Sequence, residues 1–156
     1  MDRTEDRALE EVFRIDVTVG APILVGRSAT AGRRQLIPIL SGELTGPGLH
    51  GTVLPGGVDS QVIRPDGRCL LSARYGVALD DGGTFYIENN GLRTVPEPYR
   101  EDVLEGRFVD PGVYYFRTVP TLEVYREQER WLLESLFVCE ATRWPDKVRI
   151  TFHRVL

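Results

Sequence analysis

Sixteen glycines and ten prolines cut this 156-residue chain into short pieces. The pieces alternate apolar and polar residues with period two, the pattern of strands that expose two different faces. In the first, Phe13, Ile15, Val17 and Val19 point one way, and Arg14, Asp16 and Thr18 the other. The same reading predicts strands over residues 35–44, 49–53 and 58–64, the last closed by the turn Pro65-Asp66-Gly67. A long strand over 69–79 ends at Asp80-Asp81-Gly82-Gly83 and returns over 84–90 as a hairpin. Residues 94–112 carry Pro96, Pro98 and Pro111. They read as a long loop over one barrel mouth, with a short helical turn around 99–105. A strand over 113–119, the one good helix candidate over 124–135, and a final strand pair over 136–142 and 148–155 complete the chain.

Eight or more strands with one short helix in the C-terminal half predict an all-β protein. A closed antiparallel β-barrel of lipocalin-like capacity is preferred to a sandwich, because closure removes exposed sheet edges. The length fits a single domain over 1–156, with residues 1–10 a flexible N-terminal segment. A composition of 42% hydrophobic and 27% charged residues is that of an ordinary globular chain.

Composition excludes several functions. The net charge of −4 leaves no basic excess for a phosphate backbone, so nucleic acid is not an expected partner. Two cysteines, Cys69 and Cys139, cannot build a disulfide framework, and both lie in apolar strands as core thiols. His50 and His153 lack metal-ligand spacing. Neither a metal nor any other cofactor is expected. The charged N-terminus is unlike a signal peptide, and no apolar run approaches the roughly 20 residues of a membrane helix. A cytoplasmic protein without a membrane partner is the resulting expectation. Lys147 is the only lysine among the 19 basic residues, a bias that a high-GC genome explains without functional pressure.

Parity within the strands supplies site candidates. Asp59 and Gln61 share a face, as do Ser72 and Arg74, then Tyr86, Glu88 and Asn90, and finally Tyr115 and Arg117. Each strand thus pairs a polar face with an apolar one. Two placements compete: polar faces outward in water, or inward around a polar-walled cavity.

The motifs Gly56-Gly57-Val58-Asp59-Ser60-Gln61, Arg64-Pro65-Asp66-Gly67 and Ala73-Arg74-Tyr75 follow one another in order. So do Asp80-Asp81-Gly82, Tyr86, Asn90-Gly91, Arg93, Tyr115-Phe116-Arg117-Thr118, Pro120, Glu123 and Trp131-Leu132. From about Phe13 to the C-terminus this series resembles the uncharacterised bacterial domain-of-unknown-function family numbered three-two-three-seven. The resemblance implies a compact β-barrel that often self-associates, hence a homodimer, and no settled activity. Ser60 stands where that family usually has tryptophan, and Leu133 where asparagine usually follows the Trp-Leu pair. The resemblance favours the inward placement of the polar faces.

The resulting expectation is a cofactor-independent acid–base enzyme of isomerase, cyclase or dehydratase type. Its substrate would be a small cyclic or aromatic metabolite held in the barrel, secondary metabolism being one setting for it. Asp59 would be the base, Tyr86 (or Tyr115) a proton or hydrogen-bond donor, and Arg117 (or Arg74) the anion stabiliser. Gln61, Arg74, Glu88, Asn90, Tyr115 and Trp131 would bind the substrate, although a place as a core plug competes with ligand stacking for Trp131. A non-catalytic small-molecule-binding barrel is the alternative. An interaction protein with its polar faces outward is the third.

Overall fold

The computed structural model of the chain describes residues 8–156. The first seven residues of the proposed N-terminal segment therefore lie outside the described residues. The segment's last part belongs to the sheet: β1 (Leu9–Val19) begins at Leu9, and Glu10 takes an ion pair of 2.7 Å from Arg154. The other strands are β2 (Ile23–Ser28), β3 (Gly32–Gly46), β4 (Leu49–Val53), β5 (Gly57–Ile63), β6 (Arg68–Leu79), β7 (Thr84–Thr94), β8 (Tyr115–Val124), β9 (Phe137–Arg143) and β10 (Lys147–Val155).

These strands form a closed eight-strand antiparallel barrel, with 62% of the described residues in strand. The circuit runs β1, β10, β9, β8, β7, β6, then β4 and β5 sharing one position, and β3, which closes on β1. The first half of β3 pairs with β5 and its second half with β4. Gly57 opens β5 because a Cβ there would sit 2.6 Å from Tyr75 Cβ. The predicted hairpin of β6 and β7 is continuous from Arg68↔Thr94 to Ala78↔Thr84.

Two elements differ from the sequence expectation. β2 carries no buried residue, so no alternation marks it; it forms as the far side of a hairpin with β3. The predicted helix over 124–135 is a 3-10 segment, Glu127–Leu133, because β8 continues to Val124. A 3-10 coil rises about 2.0 Å per residue against 1.5 Å for an α-helix. That reach suits a segment tied to strands at both ends. Its Leu132 and Glu129 are buried, and Arg126 Nε donates to Glu129 Oε1 at 2.6 Å. The α-helix lies instead in the loop between β7 and β8: α1 (Arg100–Leu104), preceded by a 3-10 turn at Glu97–Tyr99.

One half of the interior is packed with apolar side chains. Phe13 stacks on Phe152 at 4.5 Å between ring centroids and tilts against Phe85 at 6.3 Å. The loop carrying α1 covers the other end. It buries Val103 and Val109 in the common core, and Phe108 stacks on Trp144 at 5.9 Å. Along β7 the inward residues run Phe85, Ile87, Asn89 and Arg93, so the interior grades from apolar to charged toward that covered end.

Candidate functional site

The charged end is built by neighbouring strands whose inward positions turn polar at the same level. β3 and β5 pair Gln35 with Gln61 and Ile37 with Asp59. Arg33 Nε donates to Gln35 Oε1 at 3.0 Å, and Gln35 Nε2 donates to Gln61 Oε1 at 2.8 Å. Gln61 Nε2 then donates to Asp59 Oδ2 at 2.8 Å. Asp59 Oδ1 is buried and accepts no hydrogen bond. Burial pushes the Asp59 carboxyl above its ordinary 3.8; the bond from Gln61, the charges of Arg93 and Arg143, and the Ser72 backbone N–H, which lies near the carboxyl without reaching hydrogen-bond geometry, oppose that push without cancelling it.

Arg93 on β7 and Arg143 on β9 are both buried. Nε and Nη1 of Arg93 and Nε of Arg143 have no hydrogen-bond partner. The Arg93 guanidinium lies over the Phe116 ring at 5.5 Å. Burial, and next the Arg93 charge, push Arg143 below the usual guanidinium range. Two buried cations thus face one carboxyl whose burial opposes ionisation. Tyr75 Oη is also buried without a partner, and burial holds its proton on. Cys69 and Cys139 are free, buried thiols, and burial pushes Cys139 up to about 12. Neither is poised as a thiolate. Among the described residues, no group of three or more His, Cys, Asp or Glu side chains could hold a metal ion. No described helix is long and apolar enough to cross a membrane.

The expectation of a common cavity for Asp59, Arg74, Tyr86 and Arg117 is corrected: only Asp59 among them faces inward. β6 buries Tyr75 and turns the adjacent Arg74 out, where it pairs with Glu88 of β7 at 3.3 Å. Tyr86 and Asn90 lie on that same outer face of β7. Tyr115 and Arg117 lie outside on β8, the Arg117 guanidinium 5.4 Å from the Tyr115 ring centroid. Trp131 is half-buried against Phe137, edge-on at 6.3 Å, in the 3-10 segment. Gln61 is buried beside Asp59.

Parity reasoning missed Gln35, Arg93 and Arg143, although a signal exists. Each is a polar residue in phase with apolar ones: Gln35 with Ile37 and Ile39, Arg93 with Phe85 and Ile87, Arg143 with Cys139 and Ala141. A polar residue on an apolar face is the informative exception.

The match to a described family covers residues 7–155, nearly the whole chain. The chain belongs to the family described as Protein of unknown function (DUF3237). It is 56% identical over 146 residues to a UPF0311 protein of Clostridium acetobutylicum, covering 94% of this chain and 92% of that one. The crystal structure of a conserved protein of unknown function from Rhodopseudomonas palustris superposes with a TM-score of 0.91 at 42% identity, over 95% of this chain and 97% of that one. That of an enzyme from Penicillium herquei superposes with a TM-score of 0.68 at 17% identity, over 97% and 98% of the two chains. At that identity the likeness shows the shared fold.

Proposed function

We propose that the chain is an acid–base enzyme of isomerase, cyclase or dehydratase type acting on a small cyclic or aromatic metabolite at the polar end of the barrel. One observation carries the reading: Asp59 Oδ1, buried and unpartnered, shares the interior with two arginines that have unpaired N–H groups. Buried polar groups without partners are rare, and each one asks for an explanation. Asp59 Oδ1 accepts a proton from a carbon next to a carbonyl, and the C–H electron pair moves into the enolate. Arg93 and Arg143 stabilise the oxyanion that forms. The neutral Asp59 then returns the proton to another carbon, so the balance closes without a co-reactant. Gln61 and Gln35 are positioning residues that hold the carboxyl through Oδ2. Tyr86 and Arg117 have no part in this reading. The Penicillium herquei enzyme supports it only in that such a barrel can carry catalysis.

The test is hydrogen–deuterium exchange at the α-carbon of cyclohexanone and acetophenone in heavy water, followed by proton NMR. The wild-type chain should accelerate exchange, and Asp59→Asn should lose about a hundred- to ten-thousandfold of that rate. Binding of these ketones without acceleration would instead favour a non-catalytic binding barrel, in which the same groups only orient a ligand.

A further inference from the structure

Between α1 and the end of the barrel lies a pocket of about 160 Å³, lined by Ile63, Cys69, Arg93, Val95, Val103 and Leu104. Its lining is mainly apolar. A cavity of about 150 Å³ walled by such side chains takes one benzene ring. Arg93 is the buried charged residue in that lining: it is 5% exposed, yet two of its nitrogens meet no acceptor. Burying a cation without a partner is costly, and a carboxylate matches the guanidinium fork in shape as well as charge.

The surrounding charges agree. Arg100 and Glu101 also line the pocket with opposite formal charges, and Arg100 Nε donates to the Val95 carbonyl. Outside the lining, Arg143 adds a second buried cation, the half-buried Arg33 donates to Gln35, and Asp59 is the opposing carboxyl. With Asp59 ionised, the interior pair of Arg93 and Arg143 still exceeds it by one positive charge.

We propose that this pocket is the binding site for a single-ring carboxylate, its ring among Ile63, Val95, Val103 and Leu104 and its carboxylate on Arg93. The inference rests on the interior site proposed above, with which the pocket shares Arg93, and names the charge and size of its ligand; Arg93 then holds the carboxylate and the oxyanion falls to Arg143. A monoanion one ring wide fills the pocket and neutralises the excess cation, whereas a neutral ring leaves Arg93 unpaired.

Benzoate is the probe, with benzyl alcohol as its neutral counterpart, each titrated into the full chain by two-dimensional amide NMR. Benzoate should saturate the wild type in the millimolar range or below, shift the amides of Val95 and Val103, and bind more tightly than benzyl alcohol. Arg93→Met should weaken benzoate about ten- to a hundredfold, the span of a hydrogen bond to a charged group. Leu104→Trp, at a half-open position less demanding of the core, should fill the pocket and block benzoate with Arg93 intact. Benzoate binding no tighter than benzyl alcohol, or unchanged in a folded Leu104→Trp chain, overturns the proposal. The two readings separate on Asp59→Asn, which should keep benzoate binding whatever it does to exchange. If exchange depends on Asp59 while benzoate ignores Arg93 and Leu104, this inference fails and the catalytic one survives. If benzoate binds through Arg93 and no proton exchanges, the reverse holds.

Discussion

Gln61 Nε2 donates to Asp59 Oδ2 at 2.8 Å, two residues away on the same strand and on the same inward face. That contact satisfies one oxygen of a buried carboxyl and leaves the other free. Because Gln61 also accepts from Gln35 at 2.8 Å, the carboxyl is held by a relay crossing two strands. Hydrogen bonds in such a chain polarise one another.

Asp59 should cost the fold stability as pH rises. Its folded-state pKa lies above the ordinary 3.8, so between 3.8 and the folded value the native state binds more protons than the unfolded chain. Stability falls through that window and is level beyond it. Asp59→Asn removes the dependence. Its melting temperature should match the wild type near pH 4 and exceed it at neutral pH, by roughly 2–4 °C for each kcal/mol in a chain of this size. Calorimetry of both chains across that range checks the sign.

Gln61→Leu should destabilise the chain by about 1–3 kcal/mol, because it strands both Asp59 Oδ2 and Gln35 Nε2. Adding Gln35→Leu should cost less than its effect alone, since it removes a donor already orphaned. Urea unfolding of the two single variants and the double variant measures the coupling, and simple additivity would contradict the relay.

Arg100 ties α1 to the barrel. Its Nε donates to the Val95 carbonyl at 3.0 Å. In a Cys139→Ser background, Arg100→Ala should loosen α1 and raise the rate at which a thiol reagent modifies Cys69 in the pocket beneath it. An unchanged rate in a normally folded variant would show that α1 is held by Val103 and its neighbours alone.

His50 Nδ1 lies 2.6 Å from Asp80 Oδ2 and Nε2 lies 2.7 Å from Glu43 Oε1. Those two hydrogen bonds, to Glu43 first and then Asp80, raise its pKa above 6.5. The contribution is fully present below 6.5 and is lost as pH rises through the folded value. His50→Gln should therefore lower the melting temperature near about pH 5.5 and leave it unchanged near about pH 9. An NMR titration of the imidazole gives the same midpoint independently.

The outer-face residues should be silent in catalysis. Tyr86→Phe and Arg117→Lys should leave any Asp59-dependent exchange within about twofold, the usual scale of a surface change. A larger loss would mean that chemistry occurs on the outer wall.

The sequence by itself determined the barrel and the partners within each face. Side chains alternate with period two, so Asp59 must accompany Gln61, and Tyr86 must accompany Glu88, in any strand. Glycine and proline positions marked the turns, and the hairpin of β6 and β7 follows from them. Only the tertiary structure decided which face of a strand with two mixed faces, such as β5, turns inward. That choice depends on register and closure, and a one-residue slip inverts it. Asp59 lies opposite Ala73, while Arg74 lies opposite Val58 on the outside. Arg74 is out of phase with the apolar Tyr75, Val77 and Leu79 of its own strand, whereas no local rule places Asp59, since polar and apolar residues occupy both faces of β5. Gln35, Arg93 and Arg143 stand far apart in the chain, each amid inward apolar neighbours; closure of the sheet carries them to one end of the interior, around Asp59.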